Sequence, residues 1–197
     1  AFFKAITYTG DWGALKYPWH TLDMMDCLFK AHMPLLNEEV FESRAPGVMI
    51  HKSAEVSETV CFNGNGIVVD EGARIFDYAV INGPAYIGKN AIVGNNALVR
   101  ASNIGEGSVV GYNTEVARSW LGKNVTTHIA YIGDSVVADN VNFGAYSCTA
   151  NLRLDKKTIR MMVKDSMVDS GKQKLGAIVG ADAQIGIHAM LMPGVKI

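Results

Sequence analysis

In the stretch 69-VDEGARIFDYAVINGPAYIGKNAIVGNNALV-99, aliphatic residues recur at every sixth position. Each step has one aliphatic residue, with alanine four positions later in the first five: Val69, Ile75, Ile81, Ile87, Val93 and Val99, with Ala73, Ala79, Ala85, Ala91 and Ala97. This period fits neither the roughly 3.6-residue turn of an α-helix nor the alternation of a lone strand. Short strands joined by sharp corners explain it, with the aliphatic side chain inside and alanine near the corner.

Three such steps make a coil of about 18 residues, and parallel strand pairing stacks the next coil roughly 4.8 Å away. We therefore predict a mainly β protein, a left-handed parallel β-helix of hexapeptide repeats with a triangular section. Two alternatives fit less well. A β-sandwich has turn signals every ~8–12 residues, whereas here they recur every six. A right-handed β-helix has longer and less even coils than this sequence predicts. Steps of five residues, as between Val99 and Ile104, predict short strands that leave the coil intact, and the six-residue step returns at Val179, Ile185, Leu191 and Ile197.

Two segments depart from this period and define the expected organisation. The stretch 17-YPWHTLDMMDCLFKAH-32 predicts a short helix after Pro18 that caps or packs against the first coil. Its apolar face would consist of Leu22, Met25, Cys27, Leu28 and Phe29. We expect residues 1–48 to be a helical cap and linker and residues 49–197 to be the β-helix domain. Within it, residues 149–176 predict an extruded loop or flap, built as a strand pair that turns at Asp169–Gly171.

Composition excludes several classes of function. With a net charge of −1 over 197 residues, the chain has no basic block for nucleic acid. No apolar run approaches ~18 residues and no signal peptide is recognisable, so we expect no membrane partner. The three cysteines, Cys27, Cys61 and Cys148, form no C-x-x-C pair, which favours a reducing cytoplasm. The sequence starts at Ala1 and stops at Ile197 in mid-pattern, which is compatible with a piece of a longer protein.

Candidate chemistry lies in 127-THIAYIGDS-135, where the six-residue period stalls. A neutral imidazole suits general base catalysis near pH 7, so His128 is the candidate base for an amine or hydroxyl that attacks a thioester. Tyr131 supplies a phenol, Asp134 is interpreted as a turn residue, and Asn142 stands at a later corner of the same coil. Prisms of this shape pack around a threefold axis, so we expect a homotrimer with sites in the grooves between chains.

Two arginines and the flap lysines are the candidate anion ligands. Arg100 and Arg118 are 18 residues apart, so they would lie about one coil apart, as a phosphate-binding pair requires; the alternative is two unrelated surface arginines. The flap lysines are either solvated or part of a basic patch. A zinc triad is not expected, because His51, His128 and His188 are too far apart in the repeat.

Specific motifs carry a family resemblance. The runs 126-TTHIAYIGDS-135 and 140-NVNFGAYSCTANLRLD-155 and the closing segment 168–197 resemble the acetyltransferase domain of bifunctional sugar-1-phosphate nucleotidylyltransferase/glucosamine-1-phosphate N-acetyltransferases, archaeal-type branch. The resemblance covers roughly residues 50–197. It implies a left-handed β-helix trimer that transfers acetyl from acetyl-CoA to an amino-sugar 1-phosphate such as glucosamine-1-phosphate, without a metal. The alternative is a non-catalytic trimerising or ligand-sensing module derived from such an enzyme.

Site roles follow from the same resemblance. His128 matches the general base, and the backbone of Ala145 matches a contact to the acyl end of the cofactor. The matches for the sugar phosphate are Arg100, Tyr131, Asn142, Asn151 and Lys157, with Arg118 beside the position of a phosphate-binding lysine that is Ala117 here. One position departs from the family: Tyr146 stands where glycine is usual, and its phenol would narrow the channel of the acyl donor.

Overall fold

The computed structural model describes residues 14–197 and shows a three-sided parallel β-helix flanked by one α-helix. Helix α1 (His20–His32) and a 3-10 turn (Met33–Leu35) precede the strands. The strands before the flap are β1 (Phe41–Ala45), β2 (Val48–His51), β3 (Glu55–Val56), β4 (Cys61–Asn63), β5 (Ile67–Val69), β6 (Arg74–Ile75), β7 (Val80–Asn82), β8 (Ala85–Ile87), β9 (Ile92–Val93), β10 (Leu98–Arg100), β11 (Asn103–Ile104), β12 (Val109–Val110), β13 (Glu115–Ala117), β14 (Trp120–Leu121), β15 (Thr126–Thr127), β16 (Tyr131–Gly133), β17 (Val136–Val137), β18 (Asn142–Phe143) and β19 (Cys148–Thr149). The flap contains β20 (Arg160–Val163) and β21 (Ser166–Asp169), and the last coil contains β22 (Ile178–Val179), β23 (Gln184–Ile185) and β24 (Met190–Leu191).

Three sheets form the sides of the prism. Sheet A has the order β1-β2-β5-β8-β11-β14-β17-β22, sheet B the order β3-β6-β9-β12-β15-β18-β23, and sheet C the order β4-β7-β10-β13-β16-β19-β24. The chain visits A, B and C in turn, and each strand pairs in parallel with the strand one coil later, except that β1 pairs antiparallel with β2. The predicted fold class, a left-handed parallel β-helix with a short helix and an extruded flap, is confirmed.

The six-residue period produces the core. Every aliphatic and alanine residue that defines the period between 69 and 99 is at most 1% exposed. The five-residue steps keep the pattern, since Ile104, Leu121 and Val137 are also 0% exposed. Burying one such aliphatic side chain contributes roughly 1.5–3 kcal/mol, so the stacked column of side chains is the main stabilising feature of the prism.

The coils shorten along the chain as far as β16, after which the paired residues Tyr131 and Cys148 are again 17 apart. Residues that pair across neighbouring coils are 18 apart at Ile67 and Ala85, 17 apart at Leu98 and Glu115, and 16 apart at Glu115 and Tyr131. The five-residue steps therefore change which side chains face each other on successive coils. This change decides the neighbours in the candidate site.

A ladder of buried serines fills the corner of the short steps. Three serines are each 0% exposed: Ser102, Ser119 and Ser135. They lie at the corners where the chain passes from a strand of sheet C to a strand of sheet A. The Ser135 N–H donates to Ser119 Oγ (3.0 Å), and the Ser119 N–H donates to Ser102 Oγ (3.1 Å). Each hydroxyl in turn donates to the carbonyl two residues before it (2.8–2.9 Å). Serine thus satisfies backbone groups at the short corner that alanine would leave unpaired.

Helix α1 begins after Pro18, as predicted, and buries Trp19, Met25 and Phe29. The predicted apolar face was wrong at Leu28, which is 44% exposed because it lies off the stripe that Leu22, Met25 and Phe29 form. Trp19 belongs to a cluster with flap residues and with the outward side chains of the last coils in sheet A. The helix therefore packs along a side of the prism, whereas the sequence led us to expect packing on the first coil.

The flap is the predicted antiparallel strand pair, β20 with β21. Its turn lies at Lys164–Asp165, not at Asp169–Gly171 as the sequence suggested, because β21 continues to Asp169. Ile159 and Met161 are buried beside Trp19. The division into residues 1–48 and 49–197 stays a prediction, and residues 1–13 lie outside the described part. Across residues 14–197, no helix combines the length and apolarity that crossing a bilayer demands.

Candidate functional site

His128 lies at the outer surface, in the turn that joins β15 of sheet B to β16 of sheet C; we call turns of this kind B/C corners. The side chain is exposed, and its ring has no hydrogen-bond partner among residues 14–197. Its peptide carbonyl accepts a hydrogen bond from the Tyr146 N–H (3.2 Å). The imidazole is therefore open to a ligand, while its backbone is fixed to the next coil.

Ala145 occupies the same corner one coil later, between β18 and β19. Its carbonyl accepts a hydrogen bond from the His188 N–H (2.9 Å), and its own N–H has no acceptor within the described chain. The strands on either side of this corner pair in register, with Thr127 opposite Phe143. The fold therefore brings an unused backbone donor and an exposed imidazole to the same corner of neighbouring coils.

Asn142 belongs to the same group. It lies on the outer face of β18, opposite Thr126 of β15, and its Oδ1 accepts a hydrogen bond from the Thr126 hydroxyl (2.7 Å). Its side-chain NH₂ has no partner among the described residues, which leaves two donors for a ligand. His128, Asn142 and Ala145 form what we call the base cluster.

A second group surrounds Asp134 at the turn from sheet C to sheet A, the C/A corner. The Asp134 carboxylate accepts hydrogen bonds from Arg118 Nε (2.7 Å) and Nη2 (2.6 Å) and from the Asn151 side-chain amide. Asn151 also donates to the Tyr131 hydroxyl (3.1 Å). Three residues predicted separately thus belong to one network, which is centred on Asp134.

The network fixes the charge and direction of Arg118. The hydrogen bonds to Asp134 raise the pKa of the Arg118 guanidinium above its ordinary value, so this side chain is always a cation. A guanidinium has five N–H donors, and the bidentate pair uses two of them. Tyr131 also lies close enough to interact with the guanidinium. The donors that then remain on Arg118, whose side chain is 33% exposed, are available to an anion.

Arg100 and Arg118 lie as predicted, one coil apart and offset by one position. Arg100 pairs in register with Ala117, and the Arg118 N–H donates to the Arg100 carbonyl (2.8 Å). Arg100 is itself bound to Glu115, through Nε (2.8 Å) and Nη2. Arg100, Arg118, Tyr131 and Asn151 form what we call the cation cluster. Each of its arginines is held by a carboxylate, and their phosphate-binding role stays a prediction.

Lys157 joins neither cluster. It lies exposed at the base of the flap, and its only described hydrogen bond is from its backbone N–H to the Asp155 carboxylate (3.2 Å). Within residues 14–197 its ammonium makes no hydrogen bond or salt bridge, and Asp155 is the carboxylate that its charge reaches. The structure therefore does not bring Lys157 into contact with the other candidate residues, and its substrate-binding role stays a prediction.

The two clusters occupy the two ends of one strand. β16 runs from the B/C corner to the C/A corner and contains three residues, which span roughly 10 Å at about 3.3 Å per residue. The base cluster lies at its start and the cation cluster at its end. A ligand that contacts both must lie along the outer face of sheet C.

Sequence reasoning missed the two carboxylates that hold the arginines of the cation cluster. Asp134 has the expected turn conformation (φ +50°), but it is 7% exposed and binds Arg118. Glu115 lies opposite Tyr131 and binds Arg100. The signal was present as spacing: the acidic residue follows its arginine by 15 or 16 residues, one shortened coil.

Tyr146 projects beside the base cluster. Its ring is 54% exposed and stacks on His188, with centroids 5.1 Å apart and planes 11° apart. Both residues have positive φ values, +60° and +56°, a conformation in which a bulky side chain is strained. The stacked pair therefore forms a fixed aromatic surface one residue from Ala145.

No group of three or more His, Cys, Asp or Glu side chains within residues 14–197 has the arrangement needed to hold a metal ion. The described site is thus built from an imidazole, amides, a phenol and paired cations.

Comparison with known proteins gives a consistent set of relatives. No protein-family model matches the chain. The bifunctional sugar-1-phosphate nucleotidylyltransferase/acetyltransferase of Sulfurisphaera tokodaii is 34% identical over 98% of this chain and 45% of its own length. The bifunctional protein GlmU of Methanocaldococcus jannaschii is 34% identical over 98% of this chain and 44% of its own length. The chain thus spans less than half the length of the curated relatives that it matches.

Among solved structures, similarity extends to a mutant perosamine N-acetyltransferase from Caulobacter crescentus, in complex with CoA and GDP-perosamine. It is 26% identical, with a TM-score of 0.39, over 51% of this chain and 47% of that one.

Proposed function

Because this chain belongs to the family of archaeal bifunctional sugar-1-phosphate nucleotidylyltransferase/acetyltransferases, we propose that it is an acetyl-CoA-dependent N-acetyltransferase acting on an amino-sugar 1-phosphate such as glucosamine-1-phosphate. One observation carries the proposal: an exposed imidazole, His128, shares a corner with the unused N–H of Ala145 on the next coil. Acyl transfer to an amine needs a base for the amine and a donor for the oxyanion.

The proposed reaction is a direct attack without an acyl-enzyme. The amine nitrogen forms a bond to the thioester carbonyl carbon while a ring nitrogen of His128 accepts the amine proton. The carbonyl oxygen becomes an oxyanion, which the Ala145 N–H stabilises. The carbon–sulfur bond then breaks, and CoA leaves as a thiolate that takes the proton from the imidazolium. A positioned base contributes about 10²–10⁴ in rate, and one oxyanion donor about 10²–10³.

The acceptor would lie along the outer face of sheet C. Its phosphate would be held at the cation cluster by Arg100 and Arg118, while Tyr131 and Asn151 contact the sugar between them. Asn142 would orient the amine near His128. Lys157 would reach the ligand from the flap. The free donors of Arg118 and the short length of β16 support this arrangement.

We propose that the active form is a homotrimer. The B/C corner that carries His128 is open to solvent in the single chain, and a second prism packed there would exclude water from the thioester. Light scattering coupled to size-exclusion chromatography should give a mass near three times the 21.3 kDa of the chain. A monomeric mass at micromolar concentration would refute the trimer.

The function is tested by acetyl transfer from acetyl-CoA to glucosamine-1-phosphate, followed by thiol release and by mass spectrometry of the product. The wild-type protein should be active, and His128→Ala should lose about 10²-fold or more in kcat. His51→Ala is the matched control, because His51 lies on β2, several coils from the clusters, where its ring hydrogen-bonds to Ser53 and contacts Phe41. Equal rates in wild type and His128→Ala, or no transfer by either, would reject the assignment.

One observation favours the alternative, a ligand-sensing module without catalysis. Tyr146 places an exposed ring directly after Ala145, where an acyl donor would approach. Calorimetric titration with CoA and with glucosamine-1-phosphate separates the alternatives. A sensor binds at least one of these ligands but transfers no acetyl group, and a pure scaffold binds neither.

A further inference from the structure

A cleft separates helix α1 from the C/A corner, on the side of the prism away from the base cluster. It encloses about 290 Å³, near the lower end of the range for small-molecule sites. The helix lines one side with the apolar side chains of Leu22, Met25 and Phe29. The opposite side presents Arg118 and two lysines from the returning arm of the flap, Lys172 and Lys174. A cleft with one apolar side and one cationic side suits a small ligand that is charged at one end.

The charges that line the cleft are only partly neutralised. Arg118 binds Asp134 but keeps donors free, and Lys172 is paired with Asp23 of the helix. The Lys174 side chain is exposed and has no partner within residues 14–197. The one other carboxylate of the lining, Asp26, is paired with a lysine outside it. Lys174 is therefore a cation without a counter-ion next to an oriented guanidinium.

Lys174 stands on a rigid part of the backbone. The next residue, Leu175, is 0% exposed, and its N–H donates to the Asn151 carbonyl (3.0 Å). The Gly176 N–H donates to the Asp134 carbonyl (2.8 Å). Asp134 therefore fixes both Arg118, through its side chain, and the base of the Lys174 arm, through its backbone. Because Asp134 fixes the positions of both cations before a ligand arrives, binding an anion between them loses little conformational entropy.

We infer that this cleft binds a phosphate monoester, held by Lys174 and Arg118, with Lys172 nearby. Arg118 belongs both to the cleft and to the cation cluster, so the organic part of the ligand would extend from the cleft over Tyr131 and Asn151 along sheet C. Two sources share this chemistry: a sugar phosphate, and the 3′-phosphate of CoA. Only the naming of a sugar phosphate rests on the proposed function. We assign the sugar phosphate, because Arg118 connects the cleft to the cation cluster, where the acceptor is proposed to lie.

The experiment compares the full chain with two single variants, Lys174→Ala and Lys164→Ala. Lys164 is the matched control, because it is an exposed flap lysine at the hairpin turn, outside the cleft. Inorganic phosphate and glucosamine-1-phosphate are titrated into each protein by calorimetry, with circular dichroism as the check of folding. We expect Lys174→Ala to weaken both ligands about tenfold or more, Lys164→Ala to leave them unchanged, and Lys174→Arg to restore most of the affinity.

Two further arms make the outcomes decisive. CoA and dephospho-CoA are compared: if only binding of CoA depends on Lys174, the cleft holds the cofactor phosphate and the assignment to a sugar phosphate is overturned. If the wild type does not bind phosphate, or if Lys174→Ala binds it equally well, the cleft is not a phosphate site and the proposal is refuted. The steady-state KM for the acceptor should rise in Lys174→Ala while that for acetyl-CoA stays constant. Phosphate binding without acetyl transfer would refute the proposed activity but not the phosphate site. Acetyl transfer with an unchanged acceptor KM in Lys174→Ala would refute the phosphate site but not the activity.

Discussion

The Asp134 carboxylate holds the Arg118 guanidinium with both of its oxygens, across two coils that are 16 residues apart in sequence. Bidentate geometry fixes the plane of the guanidinium as well as its position. The same carboxylate binds Asn151, and through it the Tyr131 hydroxyl. Asp134 is therefore a positioning residue: we do not expect it to touch a ligand, but it sets the direction of three side chains that we propose do so.

We expect Asp134→Asn to weaken acceptor binding more than it slows the chemical step. The amide keeps the size of the side chain but offers one accepting oxygen instead of two, so it cannot form the bidentate pair with Arg118 and the guanidinium loses its fixed direction. The expected result is an acceptor KM raised about tenfold with a smaller change in kcat, measured by steady-state kinetics with acetyl-CoA saturating.

The same substitution should cost stability. Hydrogen bonds to charged groups contribute about 1.5–3 kcal/mol, and partial exposure of Arg118 reduces this, so we expect a loss of roughly 1–2 kcal/mol in urea unfolding. Asp165→Asn, at the exposed flap turn, is the control and should change neither quantity. An unchanged acceptor KM in Asp134→Asn would remove the positioning role.

A second prediction concerns the serine ladder. Ser119→Ala removes the oxygen that accepts the Ser135 N–H, at a corner where water cannot enter because Ser119 is 0% exposed. An unsatisfied buried donor costs about 1–3 kcal/mol, which equilibrium unfolding should detect as a lower midpoint. Ser166→Ala, on the exposed side of the flap, should be neutral within about 0.5 kcal/mol. Equal stability of the two variants would show that the ladder does not stabilise the short corner.

The sequence predicts the prism because each repeat carries its own local signal. Ile75 and Ile81, for example, both point into the core of the prism, because corners recur at a fixed spacing along the sequence. Their burial does not depend on contacts with distant parts of the chain. Helix α1 was predictable for the same reason, from Pro18 and an apolar stripe. Features that repeat or lie close in sequence are therefore readable without a structure.

The neighbours within the site were not readable in this way. Asp134 binds Arg118 because two five-residue steps reduce the coil between them to 16 residues. In a coil of 18 residues, Val136 would take the position next to Arg118 on the following coil. The contact of Lys172 with Asp23 joins residues 149 apart and depends on how α1 docks along the prism. The periodicity of the sequence does not specify how the helix docks. The sequence therefore could not show which of the flap lysines line the cleft.

A third prediction is that acetyl transfer does not need a metal. The proposed step uses His128 as base and the Ala145 N–H as oxyanion donor. Dialysis against a chelator should leave kcat within about twofold of the untreated protein, measured in chelated buffer with and without added zinc. A loss of activity that zinc restores would contradict the proposed mechanism.

The last prediction concerns Tyr146, whose ring we expect to limit the size of the acyl group. The stack on His188 holds the ring beside Ala145, where the thioester is proposed to lie. In Tyr146→Gly the ring is lost, and glycine also accepts the positive φ of this position without strain. One added methylene is worth about 1–3 kcal/mol in a closed pocket, so the kcat/KM of propionyl-CoA relative to acetyl-CoA should rise about tenfold. Tyr78→Gly is the matched control, because Tyr78 has nearly the same backbone conformation (φ +61°) at a B/C corner of an early coil. If both variants keep the wild-type ratio, the aromatic pair does not border the path of the acyl group, and its strained backbone requires a different explanation.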